Sequence, residues 1–138
     1  MYLDSKYYGV DGFKLLQLTD KEYFCRDVKI AHSGIYNAFM ICKPGNKKLL
    51  QTIKQFVKNT EENYYGFTAV CVGPLMMKQF FTLREMKELV LESEKVTDKE
   101  RYITLHRKRI LQRHLGYATA QSKTTACWQH WVNRTLYK

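Results

Sequence analysis

Residues 34–57 read GIYNAFMICKPGNKKLLQTIKQFV, and two periodicities meet inside them. Residues 35–42 (IYNAFMIC) form a short apolar run. Its length, with Gly34 before it and Pro44-Gly45 after it, predicts a buried strand rather than a helix. From residue 49 the period changes. Leu49, Leu50, Ile53, Phe56 and Val57 fall at i, i+1, i+4, i+7 and i+8, one stripe at helical spacing. Lys47, Lys48, Gln55 and Lys58 occupy the other faces. Asn46, just after the Pro44-Gly45 turn, suits an N-cap. A strand, a tight turn and a helix covering it make an α/β layer unit. Asn37 stands inside the apolar run. A buried amide left without partners costs about 1–3 kcal/mol. It therefore either ties down neighbouring backbone or faces a polar ligand, and both readings are open at this point.

The whole chain has 138 residues, enough for one domain spanning 1–138 with one core. A hydrophobic content of 45% against 26% charged residues excludes a disordered class. The net charge of +10 favours anionic partners: nucleic acid, nucleotide phosphates or an acidic membrane surface. Residues 101–113 (RYITLHRKRILQR) are densely basic. None of the usual nucleic-acid signatures accompanies them, so nucleic acid ranks low among the partners. Ten tyrosines offer flat apolar faces with polar tips, suited to stacking on sugars or bases and equally to half-buried surfaces. Cys25, Cys42, Cys71 and Cys127 make no C-x-x-C pair, and His32, His106, His114 and His130 complete no zinc spacing. Cys42 and Cys71 lie in apolar runs and read as packing residues. Reduced thiols, no signal-peptide pattern and no transmembrane run point to a cytoplasmic setting.

Taken in order, residues 1–4 are strand-like, 5–12 are polar and turn-rich, and 13–18 (FKLLQL) are a second extended candidate. Thr19 with Glu22 three residues later has the form of a capping box, which predicts a one-turn helix start. Residues 23–28 lead into a loop at 29–33. After the central helix comes a turn at 63–66 and a short apolar run, 67–72 (FTAVCV). Gly73-Pro74 predicts a helix start, because proline suits the first helical position. Thr82 and Glu85 repeat the capping-box spacing. Residues 89–91 suggest a strand, 92–100 a charged turn, and 102–106 (YITLH) an alternating strand. The tail, with Trp128 and Trp131, reads as an aromatic segment that docks on the body of the domain.

Several pieces together resemble the sugar-binding region of DXD-type glycosyltransferases of the family-32-like group, including forms found in large DNA viruses. They are YLDSKY at 2–7, GFK at 12–14, LTDKEYF at 18–24, GIYNAF at 34–39, KPGN at 43–46, GPL at 73–75 and the aromatic tail. The resemblance implies an α/β GT-A fold and sugar transfer from a nucleotide-sugar donor to a glycan or other hydroxyl acceptor. A divalent Mn2+ or Mg2+ commonly assists. It assigns Asp4 to the first acid of the DXD motif, as a donor contact and possible metal ligand, and Asn37, Gly73 and Pro74 to the donor pocket. It leaves the catalytic group unnamed. Lys6 replaces the last acid of the motif. A lysine cannot ligate a cation, although its charge can offset a phosphate. Asp11 is a stand-in by proximity alone, and His106 and His130 are late metal or phosphate candidates.

In that family a nucleotide-binding half precedes the DXD strand, whereas Asp4 comes almost at once here. The expectation is a partial GT-A fold lacking that N-terminal half, with a separate chain as a possible partner supplying it. Two other classes remain beside it. One is a non-catalytic binding or interaction module, with a sheet edge unpaired beside residues 2–4. The other is a basic nucleic-acid binder.

Overall fold

The computed structural model of the chain describes residues 1–28, 34–64, 73–97 and 99–116. Its strands are β1 (Tyr2–Leu3), β2 (Tyr7–Gly9), β3 (Tyr23–Asp27), β4 (Gly34–Ile41), β5 (Leu91–Lys95), β6 (Arg101–Leu105) and β7 (Lys108–Arg113). Its helices are α1 (Lys47–Glu61), α2 (Pro74–Lys78) and α3 (Leu83–Glu88), with a 3-10 turn at Leu15–Leu18. The fold is mixed α/β, as expected. The strands form a seven-stranded sheet in the order β1-β4-β3-β5-β6-β7-β2. Among the described strands only the β3–β5 pair is parallel.

β1 and β2 stand at opposite ends of that order, yet only residues 4–6 separate them in the chain. Leu3 faces Phe39 on β4, and the Asp4 N–H donates to the Ala38 carbonyl at 2.8 Å. Two residues later the Lys6 carbonyl accepts from His114 N–H at 2.8 Å, and Tyr7 faces Arg113 on β7. One continuous segment is thus shared between both ends of the sheet, which closes it into a small barrel. Among the described strands β1 pairs with β4 alone and β2 with β7 alone.

Tyr23, Cys25, Phe39, Ile41, Leu91, Ile103, Ile110 and Leu111 fill the barrel interior, with Tyr7 and Leu18 among them. A second cluster, Phe24, Ile35, Met77 and Met86, lies on the outer face, where Leu49, Phe81 and Leu89 pack against it. On β4 the four residues 36–39 oppose Cys25 alone, since Phe24 pairs with Met40 and Arg26 with Ile35. Such a bulge breaks the inside–outside alternation. Tyr36, Ala38 and Phe39 all join the interior cluster, while Asn37 is turned out to solvent. Asn37 is therefore not the buried amide that its apolar neighbours suggested.

Polar groups inside the barrel are paired. The Tyr7 and Tyr36 hydroxyls lie 2.8 Å apart. The Arg101 guanidinium stacks over the Tyr36 ring at 4.9 Å. The Ser93 hydroxyl donates to Asp27 Oδ1 at 2.8 Å. Burial, reinforced by Tyr36, pushes the Tyr7 hydroxyl well above the usual tyrosine range.

Some local expectations hold and others do not. Asn46 caps α1 by accepting from Leu49 N–H at 2.9 Å, and Thr82 and Glu85 form the reciprocal capping box of α3. Within residues 13–18, Lys14 is extended but Leu15–Leu18 are not: the Gln17 N–H bonds to the Lys14 carbonyl in a 3-10 turn that buries Leu18. Thr19 starts no helix, because its hydroxyl donates back to the Leu16 carbonyl while Glu22 reaches across to residues 43–46. Tyr7–Gly9, Tyr23–Asp27, residues 92–95 of the charged 92–100 stretch and Lys108–Arg113 are strands. On β5 only Leu91 and Ser93 face inward; Glu92 pairs with Arg26 and Glu94 with Arg109 on the outside. Residues 67–72 and the aromatic tail lie outside the described residues.

The largest difference concerns α1. Its buried residues are Thr52 and Asn59, whereas Leu50, Ile53 and Val57 are 51%, 60% and 46% exposed. The helix does not cover the sheet with its apolar stripe. It leans a polar face toward α2, where the Asn59 amide reaches the Met76 sulfur at 3.8 Å and accepts from Gln55 at 2.7 Å. Leu49 alone of the stripe's leading pair packs inward.

Two outcomes are expected. Phe39→Ala removes a fully buried ring from the barrel and lowers stability by about 3–5 kcal/mol in urea titration. Glu22 accepts from Asn46 Nδ2 at 3.0 Å and from Lys43 N–H at 2.7 Å, which holds its carboxyl below the usual range. A depressed carboxyl stabilises the fold above its ordinary pKa and loses that contribution as pH falls through the lowered value. Glu22→Gln therefore lowers the melting temperature at pH 7 and flattens the acid limb of the profile below about pH 5, where the difference from the parent chain shrinks.

Candidate functional site

β4 gathers the residues that the sequence singled out. Asp4 hangs on it through the bond to Ala38, directly beside Asn37. Asn37 is exposed at the bulge. At the start of the same strand, a Cβ placed on Gly34 would lie 2.9 Å from the Pro74 backbone and ring carbon. Only glycine permits that approach, so Gly34 is what seats the Gly73-Pro74 bend. Gly34 and Ala38 lie four residues apart on β4, with part of the bulge between them. Asp4 and Asn37 are thus neighbours, and the Gly73-Pro74 bend sits at the other end of one shared strand.

The Asp4 carboxylate is engaged. Oδ1 accepts from Lys6 N–H at 3.0 Å and Oδ2 lies 2.7 Å from Lys6 Nζ. The Tyr7 N–H donates to the Asp4 carbonyl at 3.0 Å. Together these make the turn that carries the chain from β1 to β2, an Asx-type arrangement in which aspartate satisfies the backbone two residues on. Sequence reasoning treated Lys6 as a departure from a motif and missed it as the partner of Asp4. The Asp-x-Lys spacing within a turn was the signal available.

The remaining candidates lie elsewhere. His106 is exposed in the β6–β7 turn, with φ of 46°, and its N–H donates to the Val90 carbonyl at 3.1 Å. That turn is three strands round the barrel from β4. Asp11, at φ 52°, lines a cavity of about 170 Å3 with Lys108 and Arg109. His130 lies outside the described residues. A cavity of about 330 Å3 over β5 and β6, lined by residues that include Glu92, Glu94, Lys95 and Arg107, contains none of the sequence-derived candidates.

α2 has five residues and Gly73 provides no side-chain cap, so its N-terminus adds only a short bend to the wall. Among the described residues no group of three or more His, Cys, Asp or Glu could hold a metal ion. Of the two described cysteines, burial pushes both thiols up, Cys25 far beyond the usual thiol range, which leaves it no thiolate for chemistry.

No family model, no curated protein and no solved structure matches the chain.

Gly34→Ala is the sharpest probe of this arrangement. The added methyl meets Pro74 backbone rather than a flexible side-chain tip, so α2 must shift. A loss of about 1–3 kcal/mol in urea titration is expected. Gly116→Ala, where an added Cβ has no atom within 4 Å, serves as the near-neutral control.

Proposed function

We propose that the chain carries the donor-sugar side of a glycosyltransferase, built on a partial GT-A fold, with Asp4 and Asn37 as the groups that receive a nucleotide-sugar. The observation that carries this reading is the bond from Asp4 N–H to the Ala38 carbonyl, which sets an acid beside an exposed amide on one strand. A carboxylate accepts from two sugar or ribose hydroxyls; an amide donates to one and accepts from another. Asn37 sits on β4 and Asp4 in the hydrogen-bonded turn that follows β1, which suits positioning. Transfer then depends on holding the acceptor hydroxyl against the anomeric carbon, with positive charge near the departing diphosphate.

The family's divalent ion fits these residues poorly. Asp4 is already neutralised by Lys6 at 2.7 Å, and a second described acid does not join it. Lys6 is the cation at hand opposite the diphosphate, and no step here is routed through a metal. The net charge of +10 supports an anionic donor without identifying it.

A second reading keeps one specific observation. Tyr8 stacks with His114 at 4.6 Å between ring centroids, and it pairs with β7, whose Lys108 and Arg109 are exposed. Aromatic and basic groups in that combination suit single-stranded nucleic acid.

One experiment separates them. Thermal-shift titration with UDP-glucose and GDP-mannose, each with and without MnCl2, is expected to raise the melting temperature, and Asp4→Asn and Asn37→Ala are expected to remove the rise. No shift with any nucleotide-sugar, together with tight and steeply salt-dependent retention of a single-stranded oligonucleotide, overturns the donor-site reading in favour of the second. A shift that survives both substitutions overturns the residue assignment.

A further inference from the structure

We propose that the outward face of α1 docks the protein on an anionic membrane surface, lying on the bilayer without crossing it. The inference stands apart from the sugar-site reading and rests on the helix alone.

α1 is inverted with respect to the body of the domain. Thr52 and Asn59 are buried, and Leu50, Ile53 and Val57 are 51%, 60% and 46% exposed. At 100° per residue the three aliphatic side chains fall within about 60° of the helix circumference, a ridge roughly 10 Å long. Exposed apolar residues scattered singly need no explanation, but three at i, i+3 and i+7 on one helix form a continuous patch. Lys54, Lys47 and Lys58 follow on the adjoining arc, all exposed. Between Lys47 and Lys58 there is no acidic residue; Glu61 and Glu62 come only at the C-terminal end.

A basic flank beside an aliphatic ridge is the pattern of an interfacial helix. The ridge enters the headgroup boundary while lysine stems lie along it and place their ammonium groups among lipid phosphates. Charge argues for this occupant over a second copy. Two such faces would set Lys47, Lys54 and Lys58 against their counterparts, on chains that each carry +10. The ridge is convex and aliphatic, without the aromatic anchor that protein interfaces favour. Among the described residues no helix is long and apolar enough to span a bilayer, so association is shallow and reversible.

The test is co-sedimentation of the full chain with sucrose-loaded vesicles. Vesicles of phosphatidylcholine alone are compared with vesicles holding about 30% phosphatidylserine, at about 50 and about 300 mM NaCl. Retention on the serine-containing vesicles only, falling severalfold with salt, is expected. The exposed triple variant Leu50→Ser, Ile53→Ser, Val57→Ser, checked for an unchanged melting temperature, is expected to bind at least tenfold more weakly. Lys47→Gln with Lys54→Gln and Lys58→Gln is expected to weaken binding similarly while flattening the salt dependence. Failure to sediment with the anionic vesicles overturns the proposal. So does equal retention of the triple-serine variant, which would assign binding to the general basic surface. A salt-resistant dimer that the serine substitutions dissolve would assign the ridge to a protein interface and overturn it as well.

Discussion

Tyr7 and Tyr36 bring their hydroxyls to 2.8 Å inside the barrel, and the closure of the whole sheet turns on the short segment that makes this contact possible. A sheet whose two end strands are separate pieces of chain can open or close without local penalty. Here the ends are held by β1 and β2, which residues 4–6 tie together. Opening the barrel would break the ladder to β4 or the ladder to β7 and expose an interior that includes Phe39, Leu91, Ile103 and Leu111. The Asp4–Lys6 pair sits at the middle of that segment. A residue assigned to ligand recognition and a residue that shapes the seam are therefore the same aspartate. Its carboxylate cannot be altered without touching both roles, whereas Asn37, exposed on the bulge, carries no such structural duty.

The helices are placed by polar contacts as much as by apolar ones. Lys48 of α1 donates to the Phe80 carbonyl at 2.8 Å, pairs with Glu85 at 2.8 Å and lies 4.5 Å over the Phe81 ring. That set links α1 to the start of α3. It holds Glu85 down to about 2, with Lys48 as the chief cause and the Thr82 cap adding to it. A helix fixed through its polar side is free to turn its aliphatic side outward, which is the physical origin of the inverted face.

What could be read from the sequence was local. The strand at 34–41, the Asn46 cap, the Thr82–Glu85 box, the Gly73-Pro74 helix start and the strand at 101–105 all depend on neighbours a few residues away, and each appears as expected. The misses are long-range. Whether a helical stripe faces the core depends on what lies beneath, and α2 beneath α1 presents Met76 to an asparagine. β5 looked like a charged turn because its glutamates are matched by arginines from β3 and β7, distant in sequence. Asn37 looked buried because alternation was assumed, and the bulge opposite Cys25 is invisible without its partner strand. For the candidate site, the adjacency of Asp4 and Asn37 follows from β1 pairing with β4, a long-range contact that the sequence reading did not anticipate. The engagement of Asp4 by Lys6 was legible only in the Asp-x-Lys spacing of the turn, which the family pattern obscured.

The seam also sets an order of events during synthesis. Tyr7 leaves the ribosome more than a hundred positions ahead of Arg113, which it faces. At about 5–20 residues per second the gap is on the order of 5–20 s. Throughout that interval Tyr7 and Tyr8 lack their partners on β7, and the greasy lining of the half-made cylinder stands open to chaperones and neighbouring nascent chains. The last described strand to be translated is the one that shuts it, so maturation of this domain is a late, single event rather than a gradual one.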